Sequence, residues 1–579
     1  MSYSQAVEAV TAPGARFELT TVEVAGRPTR AFRNAPSSLR ELFDAARRHG
    51  DSTFMVYEGE RWTFADTMAE VDALAAVLVE DYGIRRGDRV GIAMRNLPEW
   101  VVSFAAITSI GAVSVSFNAW WVTDEVDFAI GDATPSLMIV DPERAERAAD
   151  PCERRGIPLI VARGGSDPLP AGARHWTELV ERGTPMPEVE VHGEDDATIL
   201  YTSGTTGTPK GAVSTHRAIC QALLGFSCRG AIEVAREKAD GEPAGAAGST
   251  GPDGPAGESG PRVFILIVPL FHVTGCIPVM LGSFAAGLKL VMMYRWDARR
   301  ALELIEAEKV TQFVGVPTQA WDLLECPDFD SFDTSSLRNV GGGGAPAPPK
   351  LVRRVQDGFA HGGPNIGYGM TETNAYGPQN SGRDYLTHPT STGRGTPIMS
   401  VEIRDPDGNP VPVGALGEIW MAGPHLIRGY WNRPDETAET IVDGWLHTGD
   451  LGRLDEDGFL YITDRAKDMV LRGGENVYCA EVEAAIYEHP AVYEAAVYGL
   501  PHERLGEEVA ATVRVREGEH LDADGLREYL GNHLASFKIP SRLHMTTSEL
   551  PRNASGKMLK RELRDSDLME DQDLTPSQR

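Results

Sequence analysis

In the first half of the chain, segments with apolar residues at helical spacing alternate with short continuous apolar runs. Residues 37–49 and 64–82 carry apolar side chains every three or four positions, which predicts amphipathic helices, and Ser37 or Ser38 is placed to cap the first. A short apolar run at residues 89–94 predicts a buried strand between such helices. This alternation is typical of α/β folds, in which largely parallel sheets are packed against helices.

The pattern changes in the second half of the chain. Residues 401–464 are predicted to form strands joined by Asp-Gly turns, as a small β-barrel-like part, and a smaller α/β unit follows. Because 579 residues exceed what one hydrophobic core usually holds, several domains are expected. We predict a large N-terminal α/β domain with several subdomains, a smaller mobile C-terminal α/β domain and a disordered acidic tail, at residues 1–464, 465–565 and 566–579.

Residues 241–261 interrupt the α/β pattern with a segment rich in glycine and proline, which predicts a flexible surface insertion. The longest apolar run, at residues 263–273, contains a proline and a histidine and is too short to cross a bilayer. The N-terminus lacks a basic region followed by an apolar core, so no signal peptide is predicted. We therefore expect no integral membrane association.

Charge and cysteine content narrow the class of protein. The chain has 55 basic and 84 acidic residues, a net charge of −29, and this argues against binding to nucleic acid or to anionic membranes. The hydrophobic content of 42% is that of a globular protein. The six cysteines form no Cys-x-x-Cys pair and suit neither a zinc site nor a disulfide framework. Reduced thiols in the cytoplasm are the simplest interpretation.

A loop of hydroxyls and glycines that ends in a lysine is the strongest chemical signal. It follows an apolar stretch at residues 197–201, so a buried strand would aim its backbone N–H groups and hydroxyls at phosphate oxygens. Its spacing differs from that of the common nucleoside-triphosphate loop, which indicates another architecture for phosphate binding. The candidate phosphate ligands are Thr202, Ser203, Gly204, Thr205, Thr206, Gly207 and Lys210.

This loop resembles the signature of the adenylate-forming superfamily, which includes acyl-CoA synthetases, adenylation domains of peptide synthetases and beetle luciferases. Further segments match the family's motifs in the family's order, over roughly residues 35 to 565. These segments are Gly343-Gly344-Ala345-Pro346, Gly367-Tyr368-Gly369-Met370-Thr371-Glu372-Thr373, Gly444-Trp445-Leu446-His447-Thr448-Gly449-Asp450, Asp464-Arg465-Ala466-Lys467-Asp468, Gly473-Gly474-Glu475-Asn476 and Asn553-Ala554-Ser555-Gly556-Lys557.

The resemblance implies a site for ATP. Tyr368 would stack on adenine, Asp450 would accept hydrogen bonds from the ribose hydroxyls, and Arg465 would be a second ribose contact. Thr371 would bind the α-phosphate, while Glu372 with Thr205 would hold Mg²⁺, a cation that prefers oxygen ligands. The other residues implied to lie around the nucleotide are Gly343, Gly344, Ala345, Gly367, Gly369, Met370 and Ile462.

The resemblance also implies two chemical steps with ATP and coenzyme A. Lys557 would bridge the carboxylate substrate and the α-phosphate during formation of an acyl-adenylate. Lys467 would be the hinge about which the small domain rotates. After the rotation, Gly473 and Gly474 would line a tunnel for the thiol. Cys479 stands where the family usually has proline, and we interpret it as a small packed thiol.

The acyl pocket is predicted to be walled by Val273, Thr274, Trp321, Gly343 and Gly367. We expect no cationic side chain there, and we interpret His272 as a gate or pocket wall, with a catalytic role that does not require it to act as a base. Apolar acids therefore fit best, because each buried CH₂ contributes about 0.8 kcal/mol. The sequence favours a medium- or long-chain fatty acid, followed by an aromatic or alicyclic acid.

Three other functions share the nucleotide motifs. An adenylating enzyme that loads a carrier protein has them all, although no carrier domain follows Lys557. A luciferase-like oxygenase is less favoured. A nucleotide-binding regulator without catalysis would not need Thr371, Glu372, Asp450, Arg465 and Lys557 together. A homodimer is compatible with the sequence, which does not fix the oligomeric state.

Overall fold

The structure is a computed structural model, and it describes residues 1–165, 168–202, 209–241, 262–344, 347–554 and 556–573. Several predicted features lie outside the described residues. They are most of the phosphate loop (Ser203, Gly204, Thr205, Thr206 and Gly207), the insertion after Gly241, Ala345 with Pro346, and Ser555.

The secondary structure alternates helices and strands along most of the chain. The helices are α1 (Tyr3–Thr11), α2 (Leu39–Ala46), α3 (Phe64–Glu80), α4 (Pro98–Ser109), α5 (Thr123–Ala133), α6 (Pro142–Glu153), α7 (Trp176–Leu179), α8 (His216–Asp240), α9 (Gly282–Ala286), α10 (Ala298–Glu308), α11 (Pro317–Leu324), α12 (Pro349–Gly358), α13 (Gly382–Thr387), α14 (Pro434–Thr440), α15 (Cys479–Tyr487), α16 (Ala523–Gly531) and α17 (Lys560–Asp573).

The strands are β1 (Leu19–Val24), β2 (Arg27–Phe32), β3 (Thr53–Tyr57), β4 (Glu60–Thr63), β5 (Arg89–Ala93), β6 (Val113–Ser116), β7 (Leu137–Val140), β8 (Leu159–Val161), β9 (Ala173–His175), β10 (Asp196–Thr202), β11 (Lys210–Thr215), β12 (Val263–Leu266), β13 (Lys289–Met292), β14 (Gln312–Gly315), β15 (Asn339–Gly343), β16 (Gly363–Gly367), β17 (Gln379–Ser381), β18 (Ser400–Arg404), β19 (Gly417–Ala422), β20 (Gly429–Tyr430), β21 (Ile441–Val442), β22 (Trp445–Leu454), β23 (Leu460–Arg465), β24 (Val470–Arg472), β25 (Glu475–Val477), β26 (Val492–His502), β27 (Gly506–Val515) and β28 (Arg542–Thr546).

Two eight-stranded sheets form the centre of the large domain. Their orders are β20-β11-β10-β6-β5-β7-β8-β9 and β17-β16-β15-β14-β12-β13-β3-β4. The inner strands are parallel, whereas β11 and β20 in the first sheet and β4 and β17 in the second pair antiparallel. The predicted α/β fold with largely parallel sheets is confirmed. The predicted helices correspond to α2 and α3, and Ser38 caps α2 by accepting a hydrogen bond from the Glu41 amide (3.3 Å).

Helix α8 packs inside the large domain. By length and composition it could cross a membrane, but 78% of its apolar window is buried within the protein. Helices of this kind also occur in the cores of soluble proteins, so the buried position identifies α8 as a core helix. It matters for function because one of its faces lines the cavity described below.

The part at residues 401–464 is antiparallel, as predicted. Strands β18, β19, β22 and β21 lie side by side, and β23 pairs with β22. The two-residue turn Asp443-Gly444 joins β21 to β22, and both residues have positive φ (54° and 75°). This conformation is the one that matches the twist of a tight hairpin, and Asp-Gly favours it.

The small domain contains a second antiparallel sheet with one parallel edge. Its strand order is β25-β24-β27-β26, with β28 parallel to β27, and α15 and α16 cover a core that includes Val482 and Leu526. The C-terminus differs from the prediction of a tail that starts at residue 566, because α17 continues to Asp573. Leu563 and Leu568 of this helix pack against the buried side chains of β26.

A single carboxylate tests the packing of the last helix. Asp567 is 6% exposed, and it accepts a hydrogen bond from the Tyr498 hydroxyl (3.0 Å) and lies 3.0 Å from the His544 ring. We expect Asp567→Ala to lower the free energy of unfolding by about 1–3 kcal/mol, because buried partners lose their hydrogen bonds. Asp565→Ala is the matched control at an exposed position, and we expect a change within about 0.5 kcal/mol. Equal effects in urea denaturation would contradict the packed helix.

Candidate active site

Glycines open the site at the carboxyl ends of the second sheet. Strands β15 and β16 are parallel and end at Gly343 and Gly367, which are paired in register. A Cβ atom on Gly343 would lie 2.8 Å from the Gly367 carbonyl oxygen, closer than real Cβ contacts. Two neighbouring strands therefore present bare backbone at their ends, where a flat ligand can approach closely. Gly344 follows with φ of +78°.

The segment after β16 carries the candidate phosphate and metal ligands. Tyr368 leads through Gly369 and Met370 into a short 3-10 turn at Thr371–Thr373. One oxygen of the Glu372 carboxylate accepts a hydrogen bond from the Tyr430 hydroxyl (2.6 Å), and both side chains are half-buried. Tyr430 belongs to β20, which pairs with β11 and thereby brings this edge of the first sheet beside the turn.

Lys210, at the start of β11, is placed by the same pairing. Its ammonium lies 5.4 Å from the centre of the Tyr430 ring and 3.6 Å from a Glu436 oxygen. The end of β10 at Thr202 is in register with Lys210. The two described ends of the phosphate loop therefore lie beside Glu372, which Tyr430 links to them.

A buried carboxylate forms the other side of the site. Asp450 on β22 is 5% exposed, accepts a hydrogen bond from the Tyr368 hydroxyl (2.5 Å) and faces Arg465 of β23 (Nε to Oδ1, 3.4 Å). Asp450 and Arg465 are cross-strand partners. Burial raises the pKa of Asp450, and the Arg465 guanidinium opposes that rise. Ile462, also on β23, packs in one cluster with Tyr368.

Lys557 enters this site from the small domain. Its turn is held by the Asn553 side chain, which accepts a hydrogen bond from the Lys557 amide (2.9 Å). Gly556 has φ of +81°, and a Cβ atom there would lie 2.9 Å from the Val316 side chain of the large domain. Burial lowers the pKa of the Lys557 ammonium to about 8, and the charge of Arg465 acts in the same direction while Asp468 and Asp450 oppose it.

His272 lies within the electrostatic range of Lys557. Burial lowers the pKa of His272 to about 4, and the charge of Lys557 contributes to that shift. Its Nδ1 accepts a hydrogen bond from the Thr274 amide (3.3 Å). The ring is therefore neutral at pH 7, and it suits a wall or gate better than a cationic anchor.

A cavity of about 150 Å³ extends inward from the glycine ends of the strands. Thr274, Gly343 and Gly367 line it, as predicted, together with Leu223 and Phe226 of α8. The expectation of a pocket without cations is wrong. Arg229 and Arg262 line the cavity, and so do Glu233 and several amide side chains.

Two residues predicted to line the acyl pocket lie elsewhere. Val273 is 2% exposed and belongs to the main hydrophobic core. Trp321 is 7% exposed, and its ring lies beneath the guanidinium groups of Arg354 (5.1 Å) and Arg516 (5.8 Å). Sequence spacing could not separate Val273 from the cavity wall, because its neighbour Thr274 does line it.

Trp321 instead marks the contact between the two domains. Asp322 accepts hydrogen bonds from the Trp296 indole (2.8 Å) and from the hydroxyl of Tyr493, which belongs to the small domain (2.8 Å). Glu325 pairs with Arg354 (3.1 Å) and with Arg516 of the small domain (2.5 Å). Asp322 of the short helix α11 and Glu325, which follows its last residue, thus supply two carboxylates that hold the small domain.

The remaining predicted residues lie near this contact. Lys467 follows β23 at the junction of the domains, and Gly473 and Gly474 form the turn between β24 and β25 with φ of +61° and +92°. Cys479 is buried at the start of α15, and its thiol donates to the Asp468 carbonyl (2.9 Å). Burial raises the pKa of Cys479, which fits a packed thiol.

A divalent cation at this site would depend on the substrate for most of its ligands. Within the described ranges, no three His, Cys, Asp or Glu side chains cluster as a metal site. Glu372 offers one carboxylate, and within the described part of the chain Tyr430 binds its Oε1, which leaves Oε2 for a cation. One carboxylate combined with phosphate oxygens is a normal environment for Mg²⁺.

Comparison with known proteins identifies the family. The profile of the AMP-binding enzyme family matches residues 42–431, and that of the AMP-binding enzyme C-terminal domain matches residues 481–557. The chain belongs to the AMP-binding enzyme family. The first match covers most of the large domain and the second most of the small one, so both units of these adenylate-forming enzymes are present.

Related sequences and structures agree over nearly the whole length of this AMP-binding enzyme. It is 35% identical to a feruloyl-CoA synthase from Amycolatopsis sp. over 522 residues, 90% of this chain and 96% of the relative. It is 30% identical to a long-chain-fatty-acid–CoA ligase from Bacillus subtilis over 552 residues, 90% of this chain and 93% of the relative. These relatives place the enzyme among the acid–thiol ligases. The fold matches ATP-bound MatB from Rhodopseudomonas palustris with a TM-score of 0.78 at 28% identity, covering 91% and 99% of the two chains.

Several residues of the site were not predicted from the sequence. Tyr430 could not be predicted as a site residue, because it reaches the site through the pairing of β20 with β11, two strands far apart in the sequence. The position of Arg229 in the cavity wall could have been predicted, because Leu223, Phe226 and Gly230 lie on the same face of α8 at helical spacing. Asp322 and Tyr493 meet only because the domains dock.

The lowered pKa of Lys557 can be measured directly. An ordinary lysine has a pKa of about 10.4, and burial brings that of Lys557 to about 8. We expect competitive labelling with acetic anhydride, read by mass spectrometry, to modify Lys557 with a midpoint near pH 8, while Nα-acetyl-lysine in the same mixture reports the ordinary value. A midpoint above pH 10 for Lys557 would contradict the buried position.

Proposed function

We propose that the enzyme joins a carboxylic acid to coenzyme A in two steps. A carboxylate oxygen first attacks the α-phosphorus of ATP, and pyrophosphate leaves with the electron pair of the broken P–O bond. The thiol sulfur of coenzyme A then attacks the acyl carbon, the thiol proton is released, and AMP leaves. The observation that carries the proposal is the meeting of Lys557 from the small domain with Asp450 and Arg465, which are paired on β22 and β23.

The proposed roles follow from charge and geometry. Two anions must approach each other in the first step, so a cation at the reacting centre stabilises the charge that develops. Lys557 is that cation, and Thr371 binds the same α-phosphate. Asp450 accepts hydrogen bonds from the ribose, with Arg465 beside it, and Tyr368 contacts the adenine. His272 closes the site near the reacting carboxylate and stays neutral.

The β- and γ-phosphates are proposed to bind to the loop that ends at Lys210. Thr202 and Lys210 flank it, and the resemblance assigns the hydroxyls between them to the β- and γ-phosphates. We propose that Glu372, together with Thr205, holds Mg²⁺. The ion would neutralise phosphate charge when bound, and the Tyr430 hydroxyl fixes the orientation of the Glu372 carboxylate.

The acid is proposed to have an apolar segment next to its carboxylate. Leu223, Phe226 and Val314 line the part of the cavity wall that supports this assignment. A medium- or long-chain fatty acid fits such a wall, and one relative is named for long-chain fatty acids. An aromatic acid is the second candidate. The relative named for feruloyl-CoA and the amide side chains in the cavity favour it.

The acceptor is proposed to be coenzyme A rather than a carrier protein. The relatives cited above are named as CoA synthases or ligases. The Gly473-Gly474 turn is exposed enough to meet a thiol after rotation of the small domain about Lys467. In that rotation, the bonds from Tyr493 to Asp322 and from Arg516 to Glu325 would have to break.

The reaction is tested by a pyrophosphate-release screen over fatty and aromatic acids, with acyl-CoA measured by mass spectrometry. We expect both products, and we expect Lys557→Ala to slow acyl-adenylate formation by about 10²–10³-fold, because one charge-stabilising group is lost. The variant should still convert a supplied acyl-adenylate to acyl-CoA. Lys309→Ala, at an exposed lysine that pairs with exposed Asp333, is the matched control. Nucleotide binding without turnover of any acid would favour the regulator instead.

The contact between the domains gives a second test. We expect Tyr493→Phe combined with Arg516→Met to slow acyl-adenylate formation by roughly 3–10-fold, because each hydrogen bond contributes about 0.5–1.5 kcal/mol to docking. Conversion of a supplied acyl-adenylate to acyl-CoA should not slow. Arg561→Met, which affects only an exposed pair with Asp565, serves as the control. Equal slowing of both half-reactions in stopped-flow measurements would rule out a role specific to the first step.

A further inference from the structure

A row of polar side chains extends from the mouth of the acyl cavity to its inner part. Four amide side chains, which we call the amide stripe, line one face of the second sheet. They are Gln312, Asn339, Asn365 and Gln379. Strand pairing aligns them, since Gln312 is in register with Asn339 and Gln379 with Gly367. A sheet face buried in a large domain is normally apolar, so a row of amides there needs an explanation.

The stripe lies at a defined depth from the reacting end. Asn365 precedes Gly367 by two residues, and Asn339 precedes Gly343 by four. At a strand rise of about 3.3 Å per residue, these amides lie roughly 7 Å and 13 Å inward from the glycines. Their distances correspond to the far end of an elongated acyl group whose carboxylate is at the glycine edge.

The opposite wall becomes polar at the same depth. On α8, apolar Leu223 and Phe226 are followed by Arg229 and Glu233. Arg229 is 9% exposed and donates a hydrogen bond to the Ser381 hydroxyl (3.3 Å). Ser381 is in register with Asn365, which places the guanidinium opposite the amide stripe.

Two buried polar atoms of the cavity lining, Gln312 Oε1 and Asn380 Oδ1, have no partner among the described residues. Gln312 is 4% exposed, and among the described residues its Oε1 makes no hydrogen bond. Arg229 has five N–H donors but one hydrogen bond within the described chain, to Ser381. A buried polar group that lacks a partner destabilises the protein unless something else satisfies it. Both side chains face the cavity, where an acyl group would end.

The acceptor character of Gln312 indicates a neutral partner. Arg236 pairs with both Glu233 (2.9 Å) and Asp384 (2.8 Å), Arg394 pairs with Asp384 (3.0 Å), and Arg229 acts on the same two carboxylates. The carboxylates of this cluster are thus already paired within the protein. An ionised carboxylate on the substrate has no proton to donate to Gln312 Oε1, whereas a hydroxyl can donate to it.

We propose that the acid carries a neutral hydrogen-bonding oxygen, such as a hydroxyl, at the end remote from its carboxylate, and that Gln312 accepts a hydrogen bond from this group. The inference rests on the proposed ligase function and narrows its substrate class. It corrects the expectation of a wholly apolar fatty acid while retaining the apolar segment next to the carboxylate.

The test compares acids that differ by one hydroxyl. We expect kcat/KM for pyrophosphate release to be at least about tenfold higher for 10-hydroxydecanoate than for decanoate, or for 4-hydroxycinnamate than for cinnamate, equivalent to about 1.4 kcal/mol. Decanedioate, which carries a second charge, should be poorer than 10-hydroxydecanoate. Equal rates within both hydroxyl pairs, or a preference for decanedioate, would overturn the inference.

Variants assign the preference to residues. Gln312→Met should reduce the hydroxyl preference several-fold, whereas Gln356→Met, the same change at an exposed site on α12, should leave it intact. A preference unchanged in Gln312→Met, with folding confirmed by circular dichroism, would also overturn the inference. The wild-type comparison stands if a variant does not fold.

Failure of the ligase proposal would be recognised separately. In that case no acid in the panel would release pyrophosphate. Calorimetric titration with 10-hydroxydecanoate and decanoate in the presence of AMP would then decide the inference by affinity alone. Tighter binding of the hydroxy acid would support it, and equal affinities would overturn it.

Discussion

The site depends on keeping the Lys557 ammonium in a cleft between two domains. Burial alone disfavours its charge, and it lowers the pKa of Lys557 to about 8. Asp450 and Asp468 partly restore the charged form, while Arg465 opposes it. A cation that is incompletely compensated by the protein is suited to an anionic ligand, because binding of the anion completes the charge balance. The cost of burying Lys557 is therefore linked to its proposed use.

The docking of the small domain keeps Lys557 in place. Gly556 fits against Val316 because it has no side chain, and Asp322 and Glu325 bind Tyr493 and Arg516 of the small domain. The contacts of these two carboxylates are polar, which is typical of domain interfaces that can open. A large apolar interface would hold Lys557 equally well but would oppose the rotation that the second step is proposed to need. The composition of the interface is thus consistent with a reversible position.

Local patterns in the sequence were sufficient to predict the parts of the fold that depend on local chemistry. The cap at Ser38, the Asp443-Gly444 hairpin and the alternation of helices with parallel strands follow from residue type and spacing. Recognition of ordered motifs added the residues proposed to surround a nucleotide, of which the structure brings Tyr368, Asp450 and Arg465 together. Sequence reasoning failed for Val273, which packs in the core although its neighbour Thr274 lines the cavity, and for Trp321, which lies at the contact between the domains. It also missed α17, because an acidic sequence gives little indication that Asp567 and Leu568 find buried partners on β26.

The cavity shows why the nature of the acid was harder to predict than the reaction. The residues proposed to contact the nucleotide come from contiguous motifs, whereas the amide stripe combines single residues from four strands. Each of these amides, taken alone in the sequence, is compatible with a surface position. Only the register of the strands places Gln312, Asn339 and Asn365 on one buried face, with Arg229 opposite. The pocket therefore has glycines at its mouth and amides at its inner end. Its shape would select the part of the acid near the carboxylate, and hydrogen bonding would select the far end of the acid.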